Sequence, residues 1–329
     1  MPFRKTRQRS MAMNWQPSAT IESLRARAAL LAAIRAFFAA REVLEVATPL
    51  LSRHATVDRH IDSFVTQDGR WLQTSPEFAM KRLLAAGSGP IWQIAPVFRY
   101  EEQGRHHNPE FTMLEWYRPG FDHHRLMDEV EALLRHCGAP AGGWRRYSYR
   151  QAFGEHAGFD PFALDAAALR ERLAARGVAE PDGLGDADCA SRDFWLDLWM
   201  SYVVGPQLGR EAPAFLYDFP ASQAALARVR AGDPPVAERF ELFWRGLELA
   251  NGFHELSDAA EQRRRFEADQ QWRRANGRVV PPYDAELIAA LQAGLPDCAG
   301  VALGIDRLLL LLSGRERLDE VLAFPADRA

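Results

Sequence analysis

The chain is nearly devoid of lysine. Lys5 and Lys81 are the only two in 329 residues, so almost all of its 40 basic side chains are arginine. We read this first as a compositional bias of the genome, and only second as a preference for phosphate and carboxylate partners. Cysteine is scarce too. Cys137, Cys189 and Cys298 stand far apart with no CxxC pair, which argues against a cysteine zinc site and a disulfide framework and fits a reducing cytoplasm. No apolar run reaches the roughly 18 residues that a bilayer span needs. No GxxxxGK[ST] loop is present, and no GxGxxG follows a strand and opens a helix, so the usual phosphate-loop folds are excluded. There is no excess of positive charge: the net charge of −4 speaks against bulk nucleic acid as the main partner. No internal repeat is visible.

What is present suits an ordinary globular enzyme, with 47% hydrophobic and 26% charged residues. The opening "MPFRKTRQRS" is basic but leads into no apolar segment, so it is a poor secretory signal and is expected to be a disordered tail over residues 1–14. Leu24, Leu31, Ile34 and Phe38 mark one face of a helix from about Ile21 to Arg41, and "VLEVATPLL" then reads as a short strand closed by Pro49. In "RWLQTSPEFAMKRLLAAG" a strand precedes a helix with Ser75 as N-cap, Pro76 at the first helical position and Glu77 in the first turn. "PIWQIAPVFRYEE" and "FTMLEWYR" are two strands joined by a charged tip, "EQGRHHNPE". Residues 121–235 read as mostly helical, apart from a strand at "AFLYDFP" leading into "ASQAALARV". "RFELFWRGLELANGFHEL" is a hairpin turning at Arg245-Gly246, which pairs Phe243 with Glu248 and puts Glu241 on the same face. "GVALGIDRLLLLLSG" is a strand, a glycine turn and a buried apolar helix.

These pieces assemble chemistry. Arg99 and Arg307 can fork onto phosphate or carboxylate. Glu241 and Glu248 suit Mg2+, which takes one or two carboxylates plus substrate phosphates. Phe111 offers an aromatic face to a base. The adjacent His106 and His107 point to opposite sides if extended and lack a third ligand, so they are loop residues and not a metal site. Phosphate handling by arginines is the chemistry that survives.

"REVLEVATPLL", "FRYEE…RHHNPEFTMLEWY" and "GVALGIDRLLLL" resemble motifs 1, 2 and 3 of the class II aminoacyl-tRNA synthetases. "SPEFAMKRLL" and "ELFWRGLELANGFHEL" match the lysyl-tRNA synthetase branch. The resemblance runs from about Trp15 onward and implies an α+β fold, an antiparallel sheet flanked by helices, in one catalytic domain over 15–329 with a largely helical insertion at about 121–235. It implies ATP and Mg2+ as cofactors, a cytoplasmic location and a homodimer. Arg99 would then bind the α-phosphate and the amino-acid carboxylate, and Arg307 the γ-phosphate. Tyr100, Glu101 and Asn108 would contact ATP, Phe111 would stack on adenine, Leu249 would lie against the nucleotide and Gly304 would let the backbone approach it. Glu241 and Glu248 would hold the metal. Glu77, within Ser75-Pro76-Glu77, would take one substrate amine. Tyr117 and Glu255, supported by Glu115 and Asn251, would take the other. Ala302 stands where the lysyl enzymes usually have glycine. The catalytic helix begins near residue 21, leaving no room for their anticodon-binding OB domain. This departure resembles the stand-alone paralogs of the branch, which activate (R)-β-lysine or lysine and transfer it to a lysine of elongation factor P. A truncated enzyme charging tRNA is the alternative. A non-catalytic paralog fits less well, because Arg99, Glu241, Glu248 and Arg307 are all present.

Overall fold

A computed structural model describes residues 15–100, 103–181 and 183–329. The expected tail at 1–14, with Lys5, and the expected ATP contact Glu101 lie outside the described residues. No helix among the described residues is long and apolar enough to cross a membrane.

Chain order is α1 (Ile21–Ala39), β1 (Leu44–Glu45), β2 (Leu51–Ser52), β3 (Trp71–Leu72), α2 (Glu77–Ala85), β4 (Ile91–Phe98), β5 (Glu110–Pro119) and α3 (His123–His136). There follow β6 (Arg145–Ser148), α4 (Tyr149–His156), α5 (Ala166–Ala175), α6 (Asp186–Ala190), α7 (Arg192–Trp199), β7 (Ala214–Pro220) and β8 (Val229–Arg230). The chain closes with β9 (Val236–Trp244), β10 (Leu247–His254), α8 (Ala259–Ala275), α9 (Ala285–Gly294), β11 (Cys298–Gly304) and α10 (Ile305–Leu312). Among the described residues the main sheet has nine strands in the order β1-β4-β5-β11-β10-β9-β7-β6, with β8 on β9. Its centre is antiparallel; β1 with β4 and β6 with β7 are parallel. The fold is therefore α+β, as the motifs imply, with parallel pairs added at both ends.

The period of two along the strands explains where the site lies. Leu114, Trp116, Phe240, Leu242, Val301 and Leu303 point to one face and pack against α1, α3 and α10. Alternate positions, among them Glu115, Arg239, Glu241, Asn251 and Ala302, are left for the opposite face. The apolar run of α10 is buried, Leu308 to Leu311 each being at most 7% exposed. Arg27 of α1 ties the layers together: it pairs with Asp306 at the start of α10 and donates to Thr112 Oγ1 of β5, while Asp306 Oδ2 accepts from the Thr112 amide at 2.8 Å.

Some expectations shift. The short strand expected ahead of Pro49 is only the dipeptide β1, and a second dipeptide, β2, follows Pro49 in the other sheet. The 121–235 stretch carries α3 to α7 and has its own core around Tyr149, Phe153, Leu169, Trp195 and Trp199. It also donates β6 and β7 to the main sheet, so it is built into the fold. "ASQAALARV" forms no helix beyond one 3-10 turn at Ala221–Gln223. Arginines from elsewhere take its carbonyls: Arg239 donates to Gln223 O at 3.0 Å, and Arg265 to Ala225 O and Ala227 O at 2.8 and 2.9 Å. Carbonyls satisfied that way have no need of an i→i+4 ladder.

Candidate active site

The polar face of the sheet floors a cavity of about 1170 Å³, walled by α2, by the 104–109 turn, by α8 and by the start of α10. Cavities for one small ligand run to about 1000 Å³, so this one has room for a nucleotide and an amino acid together.

The β9–β10 hairpin forms as its turn chemistry demands. Arg245 and Gly246 both have positive φ, at 53° and 73°, and Phe243 pairs with Glu248. A register shift between Glu248 and Ala250 then sets Asn251 opposite Glu241. Glu241 and Glu248 both line the cavity. Burial, and then the charge of Glu248, push the Glu241 carboxyl up to about 8. Arg239 donates to Glu241 Oε1 at 2.5 Å and to Asn251 Oδ1 at 3.2 Å, bracing the pair. Two acids crowded in one pocket, with Glu241 favoured in its neutral form by burial first and by the charge of Glu248 second, form a donor set that a hard divalent cation would ionise and suit.

Arg307 opens the other wall. It donates to Glu248 O at 2.9 Å, to His106 O at 3.3 Å and to His107 Nε2 at 2.8 Å. The two histidines sit in the turn between β4 and β5. They line the cavity and aim the guanidinium, a role the sequence did not reveal. His107 must present a bare Nε2 to accept that bond. Arg99 lies over the Phe111 ring at 5.2 Å, so the aromatic expected to meet adenine also meets an arginine. Asn108 lines the cavity but is engaged at both ends, donating to Glu110 O at 2.6 Å and accepting from the Ala326 amide at 3.0 Å. Leu249 and Gly304 line it as well. A Cβ built on Gly304 would meet only ordinary contacts, the nearest 3.9 Å away, so the protein itself does not require glycine there. Tyr100 is 54% exposed, its ring edge-on to Phe64, and it stands outside the cavity lining.

The end of the cavity near α2, where the substrate amines are expected, differs most from expectation. Ser75, Pro76, Glu77, Asn251 and Ala302 line the cavity. Glu115, Tyr117 and Glu255 lie behind that lining, each at most 2% exposed. Ser75 accepts from the Glu77 amide at 3.0 Å and donates to Glu115 Oε2 at 2.7 Å, and the Tyr117 hydroxyl donates to Glu115 Oε1 at 2.6 Å. Lys81, one turn along α2, lies 2.6 Å from both Glu77 and Glu255. It is the functional residue that sequence reasoning passed over; the one signal was a lone lysine four residues after Glu77. Burial opposes its charge, but Glu255 and Glu77 outweigh that and hold its pKa above the ordinary value. Burial lifts Glu115 to about 8 with help from Glu77, and burial lifts Glu255 to about 7 despite Lys81. The ring of Tyr117 fits because Gly300 has no side chain; a Cβ there would lie 2.2 Å from the ring.

The family model of class II tRNA synthetases (D, K and N) matches residues 4–328. The chain belongs to that family. One relative, "Elongation factor P--(R)-beta-lysine ligase" of Yersinia enterocolitica, is 51% identical over 329 residues, covering 97% of this chain and all of that protein. The protein of the same name from Vibrio parahaemolyticus is 52% identical over 330 residues, covering 96% and 99%. As a class II enzyme, the chain has motif 2 in β4, the turn and β5, and motif 3 in β11 and α10. These are the elements that carry Arg99 and Arg307.

One consequence follows for this site. Its buried acids keep protons near neutrality, and a bound ammonium or divalent cation favours their ionised forms. Binding therefore releases protons, and affinity climbs as the pH rises toward the 7–8 range of Glu255, Glu115 and Glu241, then levels off. Calorimetry of a diamino acid in buffers of different ionisation enthalpy should show about one proton released at pH 7. Heats independent of the buffer would contradict these assignments.

Proposed function

We propose that this enzyme is an ATP-dependent, AMP-forming ligase that activates (R)-β-lysine and transfers it to a lysine of elongation factor P. The observation carrying this is the cavity that joins two opposed charge environments, the arginines Arg99 and Arg307 at one end and Glu77, with Glu115 and Glu255 buried behind it, at the other. A diamino acid has a carboxylate for the first and ammonium groups for the second. The names of the half-identical, full-length relatives support the choice of substrate and acceptor.

In the first step a carboxylate oxygen of the amino acid bonds to the α-phosphorus of ATP, and the bond to pyrophosphate breaks. Arg99 orients both reacting anions, and Arg307 stabilises the departing phosphates. In the second step the ε-amine of the acceptor attacks the acyl carbon, AMP leaves with the bonding pair, and the amine loses a proton. Catalysis is positioning and electrostatic stabilisation, with no covalent bond to the enzyme. Mg2+ held by Glu241 and Glu248 would supply charge neutralisation for the phosphates. Glu77 receives a substrate ammonium. Glu115, Glu255 and Tyr117 act from behind it, with Lys81 setting how much negative charge that end carries. The reading places the enzyme in the cytoplasm as a homodimer.

Ala302 tunes the choice of amino acid. It pairs with Glu115 on one side and Asn251 on the other, and its methyl lies on the cavity floor between them. An extra methyl in a filled site costs about 1–3 kcal/mol for a ligand whose substituent falls there. Ala302→Gly should therefore raise activation of α-lysine about tenfold, measured as α-lysine-dependent pyrophosphate exchange. No rise would mean that Ala302 is packing alone.

A further inference from the structure

We propose that His123, Glu238 and His254 form a structural binding site for a borderline divalent metal ion of the Zn2+ class, separate from the substrate cavity. It is the one group of three such donors among the described residues whose ligand atoms all lie within 4.8 Å of one another. The three come from different elements. Glu238 is on β9, His254 ends the neighbouring β10, and His123 begins α3.

Two of these side chains have partners. His254 Nδ1 is 2.6 Å from Glu238 Oε2, and its Nε2 is 3.0 Å from Asp297 Oδ1. His123 is different. Its side chain is 2% exposed and neither ring nitrogen has a hydrogen-bond partner. The nearest acid oxygen, Asp218 Oδ1, is 3.6 Å from Nε2, too far for a hydrogen bond, and is itself buried without a partner. Buried imidazole nitrogens and carboxylate oxygens are costly when left unpaired. An ion held by this group would give His123 the partner it lacks.

The donor chemistry selects the metal. Two imidazoles and a carboxylate match Zn2+ and poorly suit Mg2+ or Ca2+. Tetrahedral Zn–N and Zn–O bonds put donor atoms roughly 3.4 Å apart, so the wider pairs, at up to 4.8 Å, would close while the 2.6 Å His254–Glu238 contact would open. Asp218 and Asp297 each neighbour one histidine of the group and stand outside it, so water would complete the tetrahedron. The charges around the site leave room for a cation. Arg230 is spent on Asp218 and Glu238, and Arg228 on Asp297, so three acids face two arginines. His254 and Asp297 are 10% and 62% exposed at the side chain, which leaves a way in from solvent. The site would pin the end of β10 next to Glu255, where the Glu255 amide donates to Cys298 O at 3.0 Å.

The test uses the full chain stripped of metal with a chelator. Co2+ is titrated as a spectroscopic stand-in, Zn2+ by competition with a chromophoric chelator, and melting is followed at each ratio. One ion per chain is expected, with visible Co2+ bands of a tetrahedral nitrogen and oxygen site and a melting temperature raised by Zn2+. His123→Ala and Glu238→Gln should each weaken binding about 100-fold or more. Glu238 is partly exposed, so its variant keeps the test open if the buried histidine proves necessary for folding. No stoichiometric binding by the wild-type chain would overturn the proposal. Binding that both variants leave unchanged would also overturn it, by putting the ion elsewhere.

Discussion

Arg307→Ala lowers amino-acid-dependent ATP–pyrophosphate exchange by roughly 10²–10³, the usual loss when one preorganised donor to a developing anion is removed. The size rests on how firmly the guanidinium is held. Its three nitrogens meet Glu248 O, His106 O and His107 Nε2. The arginine therefore reaches the cavity already aimed. Arg307→Lys should recover little, because an ammonium is a point charge and cannot hold those bonds and a phosphate in one plane. His107→Ala should fall between, with a raised KM for ATP, since it loosens the aim and keeps the charge. Thermal melting of all three variants should stay close to wild type. A drop of less than about threefold for Arg307→Ala would remove this residue from the proposed chemistry.

The second large effect is on stability. Lys81 is buried between Glu77 and Glu255, with Glu115 close behind. Removing one partner of a buried ion pair costs about 3–5 kcal/mol, because the remaining charge has neither water nor counter-ion. Lys81→Met should show that loss in chemical denaturation at pH 8. The loss should shrink as the pH falls. A carboxyl raised above its unfolded value binds more protons when folded, so stability is fully present below the unfolded pKa and is lost as the pH rises through the folded one. Glu255 already stands at about 7 with Lys81 in place. Without Lys81 it rises further, and the variant is most nearly native in mild acid. A deficit that does not change with pH would mean that Lys81 matters for packing and not for charge.

The sequence made the strands and their pairing legible where local chemistry settles them. Arg245-Gly246 admits one tight turn, so the partner of Glu248 follows. The Phe98–Tyr117 segment alternates and breaks at turn formers, so its hairpin follows too. What it hid depends on residues brought together from far apart. Arg27 and Asp306 meet across 279 positions, and Arg239 reaches Asn251 across a strand pair. Lys81 was masked for another reason. A Glu–Lys pair at i,i+4 on a helix usually lies in solvent, and only the packing of α2 on the sheet buries it. His106 and His107 drew attention as ligands by type; their part in holding Arg307 depends on where α10 begins. "ASQAALARV" has helical composition, yet tertiary arginines claim its carbonyls. β2, after Pro49, left no trace in the pattern, because it is only a dipeptide.

The central claim is that the activated amino acid passes to a protein lysine. Intact-mass analysis of elongation factor P after incubation with this enzyme, ATP and (R)-β-lysine tests it most directly. The account predicts a gain of one β-lysyl residue, absent without ATP and absent with the Arg307→Ala enzyme. An unchanged mass, with efficient charging of total tRNA under the same conditions, would contradict it.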